Sequence, residues 1–489
     1  MKNTLLQTLE LAVEKHNEGQ LHDAEKLYVE AIELDDSHPT AYYNLGLIYQ
    51  EKGDDKSAEL FFLKTKELNP SYVESCLQLA KLYEKHKLRE LEKEQYEKAL
   101  DLNSANKEIY RNLGRIYFEE YAFEQALTCL KKLFIVEPNN VELLSTMGSC
   151  YQQLNDVKQA KLFYEKALSL ESGHINTLYN LSYIYLLQKD YIKGFDLYRY
   201  RYHESIRGHS LGGVAYPPTL LTPTDDIKAK TVYISHEQGL GDTIAFARFL
   251  PFFIQKGAKL LVYVPPSLKK LFALNYPEIT FIATGSDISF DFNFPLMEAP
   301  YLLRTTFEEI PFCDKFLHVK TEDVASFRKN HHFSQKQKIG IIFKGSTAIK
   351  HRNIDLELLL STLCMLPDTI ELFSLQYDTT TQEQELLAKY GVTDLGKEID
   401  NFYTTAIMIE AMDIMVSIDT SVLNLCGALG KTTLGLLNFT NLWRWVEDEN
   451  SHAIWYKSIT LLQQKSFNNW NDVLEVLNTK IEDMLCQIA

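Results

Sequence analysis

The feature that most constrains this chain is a spacing. From its first residues to about residue 200, the same residue classes return every 34 positions: Leu45, Leu79, Leu113, Met147 and Leu181, then Tyr49, Tyr83, Tyr117, Tyr151 and Tyr185, then Ala58, Ala126 and Ala160. Each unit reads as two amphipathic helices, with a small residue (Gly46, Ala80, Gly114, Gly148, Ser182) where the two must approach closely. Leu11, Gly19, Ala24, Tyr28 and Ala31 form a first, degenerate unit, so about six units run from residue 5 to about 203. A helix pair of this kind cannot bury its apolar face alone, and stacking against neighbours is the only way to form a core.

The period and the residue classes are those of the tetratricopeptide repeat. The expected form is a right-handed α-solenoid whose groove takes an extended peptide or a protein face. A spacer or dimerisation arm without a specific ligand, with oligomerisation through the repeats, is the plainer reading. The many tyrosines, 28 in the chain, are expected mostly in the solenoid core.

After "KGFDLYRYRYHESIRG" the period stops, and residues 208–226 are rich in proline and glycine, which cannot continue a helix. From Lys230 onward, short β-branched runs alternate with helical patterns: "TVYIS", "KLLVYV", "ITFIAT", "IGIIF", "IELFSLQ", "IMVSI" and "TTLGLLN". Such alternation predicts α/β structure with parallel sheets. A fresh strand after the polar stretch "RKNHHFSQKQ" divides this region in two. The expected domains are a solenoid at 1–207, a connector at 208–229, and two doubly wound parallel-sheet halves at 230–335 and 336–489 facing across a cleft.

Composition narrows the function. A net charge of −16 argues against general nucleic-acid binding, which needs Lys and Arg to neutralise phosphates. Cys76, Cys129, Cys150, Cys313, Cys364, Cys426 and Cys486 include no C-x-x-C pair, so reduced thiols and no zinc site are expected. No apolar run is long enough to span a bilayer, and the first helix carries charges within its apolar pattern. A cytoplasmic protein is expected.

Three stretches stand where α/β proteins hold their chemistry, at the C-terminal ends of strands. "HEQGLGDTIAF" brings Glu237, Gln238, Gly239, Gly241 and Asp242 to a strand-to-helix turn, with the helix expected to begin near Thr243. The glycines allow close backbone approach to a ligand, and Asp242 is either a helix cap on Ile244 or Ala245 N–H or a catalytic acid. "IGIIFKGSTAIKHR" brings Lys344, Gly345, Ser346, Lys350, His351 and Arg352 to one loop, suited to a diphosphate or simply solvated. "IMVSIDTSVLNLCGALGK" places Asp419, Thr420 and Ser421 at a helix start, an anion site in which Asp419 accepts from sugar hydroxyls, or in which Asp419 or Thr420 serves purely as the N-cap.

Other candidates are weaker. Trp443 and Trp445 suit stacking on a ligand or packing between the halves, and Arg444 between them is the better polar candidate. His236 and Glu237 are adjacent on an extended segment and point to opposite faces. His331 and His332 have no Cys or acid at metal-ligand spacing. No nucleophile elbow is present.

Taken in order, "EQGLGDTIAFARFLP", "LFSLQ", "DNFYTTAIMIEAMDIMVSIDTSVLNLCGALGK", "WRW", "WY" and Trp470 resemble bacterial tetratricopeptide glycosyltransferases similar to the lipopolysaccharide heptosyltransferases; "KGFDLYRYR" at the repeat end is typical of them too. The resemblance implies a GT-B fold of two Rossmann-like halves, a nucleotide-sugar donor bound mainly by the C-terminal half, and neither metal nor other cofactor. The architecture also resembles the eukaryotic O-linked N-acetylglucosamine transferase, whose solenoid supplies protein acceptors. By position, Asp242 matches the family's proposed general base, Lys350 its phosphate-binding Lys, and Asp419 to Ser421 its sugar and phosphate element. The chain departs from the family at Asn424 (usually His), Thr432 (Pro), Leu442 (an acid) and Ser346-Thr347 (Asn-Pro), which leaves donor and activity level open. The function expected on this resemblance is metal-independent, inverting transfer of a sugar to an acceptor protein, such as a flagellar or surface protein. The alternatives are transfer to a glycan or lipid-linked acceptor, and a non-catalytic adaptor.

Overall fold

The repeat is visible first in its backbone. A residue with left-handed φ recurs every 34 positions, at Gly19, Gly53, Lys87, Tyr121, Asn155 and Lys189 (φ between 59° and 78°). Only the first two are glycine; the other four pay roughly 1 kcal/mol each to hold this turn. The turns lie between paired helices: Lys2–Asn17 with Leu21–Leu34, Pro39–Glu51 with Asp55–Leu68, Val73–Lys85 with Arg89–Leu102, Lys107–Glu119 with Phe123–Val136, Val141–Gln153 with Val157–Leu170, and Ile175–Leu187 with Tyr191–Tyr198. Asp54, Asp156 and Asp190, one residue past three of these turns, cap the following helix by accepting from Ser57, Gln159 and Lys193 N–H. The computed structural model describes residues 2–203, 206, 220–282, 288–345, 352–440 and 442–488.

Two compact units result, Met1–Tyr151 and Gln152–Ala489. In the first, the core is built between neighbouring repeats: Ala24, Tyr28 and Ala31 pack with Ala41, Leu45 and Ile48, and Ala58 and Phe62 with Leu79 and Tyr83. Gly46 is small for a reason, since a Cβ there would lie 2.5 Å from the ring of Phe62. The tyrosines are structural as expected: Tyr28 and Tyr96 are fully buried, while Tyr49 and Tyr83 donate to Glu25 and Glu59.

The second unit begins well before the expected boundary at 208. Tyr191, Phe195 and Tyr198, on the last repeat helix, belong to the same hydrophobic core as Phe246, Trp443 and Trp455. The Trp455 indole N–H donates to Tyr191 Oη at 2.8 Å. The proline- and glycine-rich stretch 207–219 lies outside the described residues.

Within this unit stand two sheets. One has the order β3-β2-β1-β4, all parallel, from β1 (Thr231–Ser235), β2 (Lys259–Tyr263), β3 (Thr280–Ile282) and β4 (Phe292–Pro295). The other has the order β10-β11-β9-β8-β5-β6-β7, from β5 (Gln337–Ile342), β6 (Ile370–Ser374), β7 (Thr393–Asp394), β8 (Ile414–Ile418), β9 (Thr433–Leu437), β10 (His452–Ala453) and β11 (Tyr456–Gln463). Only β10 runs antiparallel to its neighbour. Every residue of β8 and β9 is buried, which is why both read as unbroken apolar runs. The chain order reverses direction at β1 and at the β5–β8 pair, where open α/β sheets leave a crevice at the strand ends.

Candidate active site

A cavity of about 600 Å³ opens at these reversal points. Its walls come from the turn after β1 (Gly239, Gly241, Asp242), the loop after β5 (Lys344, Gly345, Arg352) and the turn after β8 (Asp419, Thr420, Ser421). The three separate stretches singled out in the sequence therefore meet in one place.

The helix after β1 spans Leu240–Ala247 and starts three residues earlier than expected. Asp242 thus sits in its first turn and reaches backward: Oδ2 accepts from Gly239 N–H at 3.0 Å, and Ile244 and Ala245 are not its partners. Its other oxygen, Oδ1, lies 2.8 Å from Arg444 Nη2. Among the described residues, neither Asp242 Oδ1 nor Arg444 Nε has a partner in hydrogen-bond geometry, although both atoms are buried. Burial alone would lower the Arg444 guanidinium; the charge of Asp242, with Tyr198 and Asp419, outweighs this and raises it.

Packing leaves little room for a side chain at Gly241, apart from any approach to a ligand. A Cβ there would lie 3.2 Å from Ser421 Cα and 3.0 Å from Asn424 Nδ2. The starts of helices Leu240–Ala247 and Ser421–Leu429 touch at this glycine, so both N-termini face the cavity.

Asp419 is not the N-cap of its helix. Thr420 takes that part, its Oγ1 accepting from Val422 N–H at 3.2 Å. The buried Asp419 carboxylate instead accepts from the Trp445 indole N–H at 2.9 Å and from Arg352 Nη1 at 3.2 Å. Lys344 is likewise engaged: Nζ donates to Glu383 Oε2 at 2.7 Å and to the Asp378 carbonyl at 2.6 Å. Gly345 N–H donates to Asn353 Oδ1 at 2.9 Å. Ser346, Lys350 and His351 lie outside the described residues.

Two expected cleft residues belong elsewhere. Glu237 is wholly buried and forms a two-pronged pair with Arg201, Nε to Oε1 at 2.5 Å and Nη2 to Oε2 at 3.1 Å. Gln238, at φ 58°, donates to Tyr198 Oη at 3.1 Å. Alternation puts Glu237 on the side away from His236, the left-handed backbone at Gln238 brings the next side chain to the same end of the last repeat, and Arg201 gives Glu237 the partner that a buried carboxylate needs. Arg201 is the last residue of the "LYRYR" run that closes the repeats. His236, on the opposite side, contacts Thr243 Oγ1 at 2.6 Å; burial lowers its pKa, against the charge of Asp242.

The tryptophans of "WRW" are packing residues. Trp443 is enclosed by Tyr191, Phe195, Tyr198 and Trp455, and Trp445 lies against Tyr456. His331 does meet an acid, Glu398 at 3.0 Å, through a fold contact rather than sequence spacing. Among the described residues, no group of three or more His, Cys, Asp or Glu is placed to hold a metal ion, and no helix is long and apolar enough to cross a membrane.

Sequence reasoning passed over Gln376, Tyr377 and Asp378 after β6, and Asp400 and Asn401 at the start of helix Phe402–Ala411, all of which line the cavity. The run "LFSLQYD" carried the signal, an apolar strand followed by polar residues at its C-terminal end. Asn424 also lines the cavity; it accepts from Tyr456 Oη at 3.1 Å and donates to the Thr420 carbonyl.

Comparison with known proteins supports the repeats directly. A TPR repeat family profile matches residues 14–53, and a tetratricopeptide repeat profile matches 39–72, 73–106 and 141–174. Protein FlbA of Caulobacter vibrioides is 23% identical over 291 residues, 53% of this chain and 47% of that protein, so the match spans about half of the relative's length. Among solved structures, YrrB, a TPR protein with an unusual peptide-binding site, is 19% identical, with 37% of this chain and 96% of that one covered and a TM-score of 0.34. MamA is 19% identical, covering 35% and 94%, with a TM-score of 0.31. PilF of Pseudomonas aeruginosa is 23% identical, covering 37% and 79%, with a TM-score of 0.28.

Proposed function

We propose that this chain is a glycosyltransferase of the GT-B type, moving a sugar from a nucleotide-sugar to the hydroxyl of an acceptor protein held by the repeats. One observation carries the reading: the strand ends of two parallel sheets share a single cavity, with a carboxylate from one sheet facing a helix N-terminus and cations from the other. In this mechanism the acceptor oxygen attacks the anomeric carbon and gives its proton to Asp242. The bond from that carbon to the phosphate oxygen breaks, its electron pair leaving with the nucleotide. Lys344, Arg352 and the N-terminus of helix Ser421–Leu429 meet the growing phosphate charge. Gln376 and Tyr377, at the end of β6, line the same cavity and in this reading contact the rest of the donor.

A second reading has its own support. Each of the described cations Lys344, Arg352 and Arg444 already lies against a carboxylate. A decayed site in an adaptor protein would have settled into such internal pairs.

Thermal-shift titration with UDP-, ADP-, GDP- and CMP-sugars, followed by donor hydrolysis, separates the two. The enzyme reading expects stabilisation by one donor, slow hydrolysis of it, and loss of transfer in Asp242→Asn with the chain still folded. Normal turnover by that variant refutes Asp242 as base, and binding of no donor favours the adaptor.

A further inference from the structure

We infer that Arg444 is an ion-pair gate: a phosphate group entering the cavity and the Asp242 carboxylate compete for its guanidinium, so that the anion's arrival frees Asp242. The inference deepens the proposed glycosyltransferase reading and rests on its assignment of an anion to this cavity.

Four observations lead to it. First, both Asp242 oxygens already have a neighbour: Oδ2 accepts from Gly239 N–H at 3.0 Å, and Oδ1 lies 2.8 Å from Arg444 Nη2. A proton arriving at Oδ1 meets a guanidinium already in contact with that oxygen, and its approach is easier once the guanidinium turns to another anion. Second, the cover is loosely satisfied: its contact falls outside hydrogen-bond geometry among the described residues, and the buried Nε donates to none of them. A guanidinium offers a planar fork of five donors suited to phosphate oxygens, and part of that capacity stands idle here.

Third, Arg444 is carried on a rigid mount. Trp443 and Trp445 on either side are 2% and 6% exposed, the first locked among Tyr191, Phe195 and Trp455, the second hydrogen-bonded to Asp419. The backbone stays fixed, and only the side chain has a choice of partner. Fourth, the neighbouring wall is built for an anion, since the N-termini of helices Leu240–Ala247 and Ser421–Leu429 meet at Gly241 beside this pair. A phosphate seated there gains the helix dipoles as well as Arg444, which a carboxylate already spent on a cap does not. Binding is thereby ordered: the donor first, the reactive acceptor hydroxyl second.

The test needs no known sugar. Isothermal titration of the full chain with inorganic pyrophosphate, without magnesium, is compared for wild type, Asp242→Asn, Arg444→Gln and the double variant. Asparagine keeps a carbonyl oxygen for Gly239 N–H, and Asp242→Ser serves as the second variant if it does not fold. Removing the competitor is expected to tighten pyrophosphate binding by about tenfold, an ordinary coupling between sites. In the Arg444→Gln background the same substitution is expected to change nothing. Asp378→Asn, which removes a charge elsewhere on the cavity wall, is expected to act equally with and without Arg444. Unchanged or weaker binding in both Asp242 variants, tightening that persists without Arg444, or no binding to any variant overturns the gate. The outcomes separate from the parent reading: sugar transfer with unchanged pyrophosphate affinity refutes the gate alone, whereas tightened affinity without transfer of any sugar refutes the transferase alone.

Discussion

Replacing Glu237 by Gln tests the buried joint between the repeat end and the loop that carries Asp242. Arg201 and Glu237 are 1% and 0% exposed at the side chain, and Glu298 lies 3.1 Å from the same guanidinium. Arg199, 2.8 Å from Glu298, completes a set of two cations and two anions. The exchange leaves this enclosed set with an excess positive charge and turns an accepting oxygen toward Nη2 into a donor. Breaking a buried pair from one side costs about 3–5 kcal/mol. The lower end applies, because Glu298 and the Tyr198 carbonyl, 3.0 Å from Arg201 Nη1, still hold the guanidinium, giving about 3 kcal/mol. Replacing both partners, Arg201→Met with Glu237→Leu, removes the charges together and is expected to cost less than Glu237→Gln alone. Urea unfolding followed by tryptophan fluorescence reads this cleanly, since all four tryptophans lie in the Gln152–Ala489 unit. A Glu237→Gln variant within about 0.5 kcal/mol of wild type, the range of ordinary surface substitutions, refutes the reasoning, as does a double variant less stable than the single one.

Two further outcomes follow from the site. Trp445→Phe removes the indole donor to buried Asp419, and a loss of about 1–2 kcal/mol is expected in the same urea assay; an unchanged midpoint contradicts that role. His236 has a depressed folded-state pKa because it is buried, so the folded chain binds fewer protons than the unfolded chain in mild acid. Its contribution is present above the unfolded value of about 6.5 and is lost as pH falls through the lower, folded value. With solvent screening the effect is below about 1 kcal/mol. Urea midpoints between pH 7.5 and 5.5 should fall further for wild type than for His236→Gln, and equal falls exclude the assignment.

Legibility followed distance along the chain. The repeat was readable because its pattern is local: an apolar face every turn, a left-handed turn every 34 residues, and partners in the next repeat. Strands β1, β2, β3, β5, β6, β8 and β9 were readable as short β-branched or apolar runs. β4 was missed because "FNFP" is short and ends in proline, and β11 because "YKSITLLQ" alternates exposed and buried positions less regularly. Both are full members of their sheets.

The sequence by itself determined the repeats, the parallel α/β class, and the three stretches that meet at the cavity, since each depends on neighbours a few residues away. Only tertiary structure decided what the charged side chains do. Glu237 left the cleft because Arg201 reaches it from the last repeat; Asp419 yielded the cap to Thr420 and took Arg352 and Trp445; Asp242 acquired Arg444. A buried charge must find its counter-charge wherever the fold brings one, and that partner's place in the sequence carries no local signal.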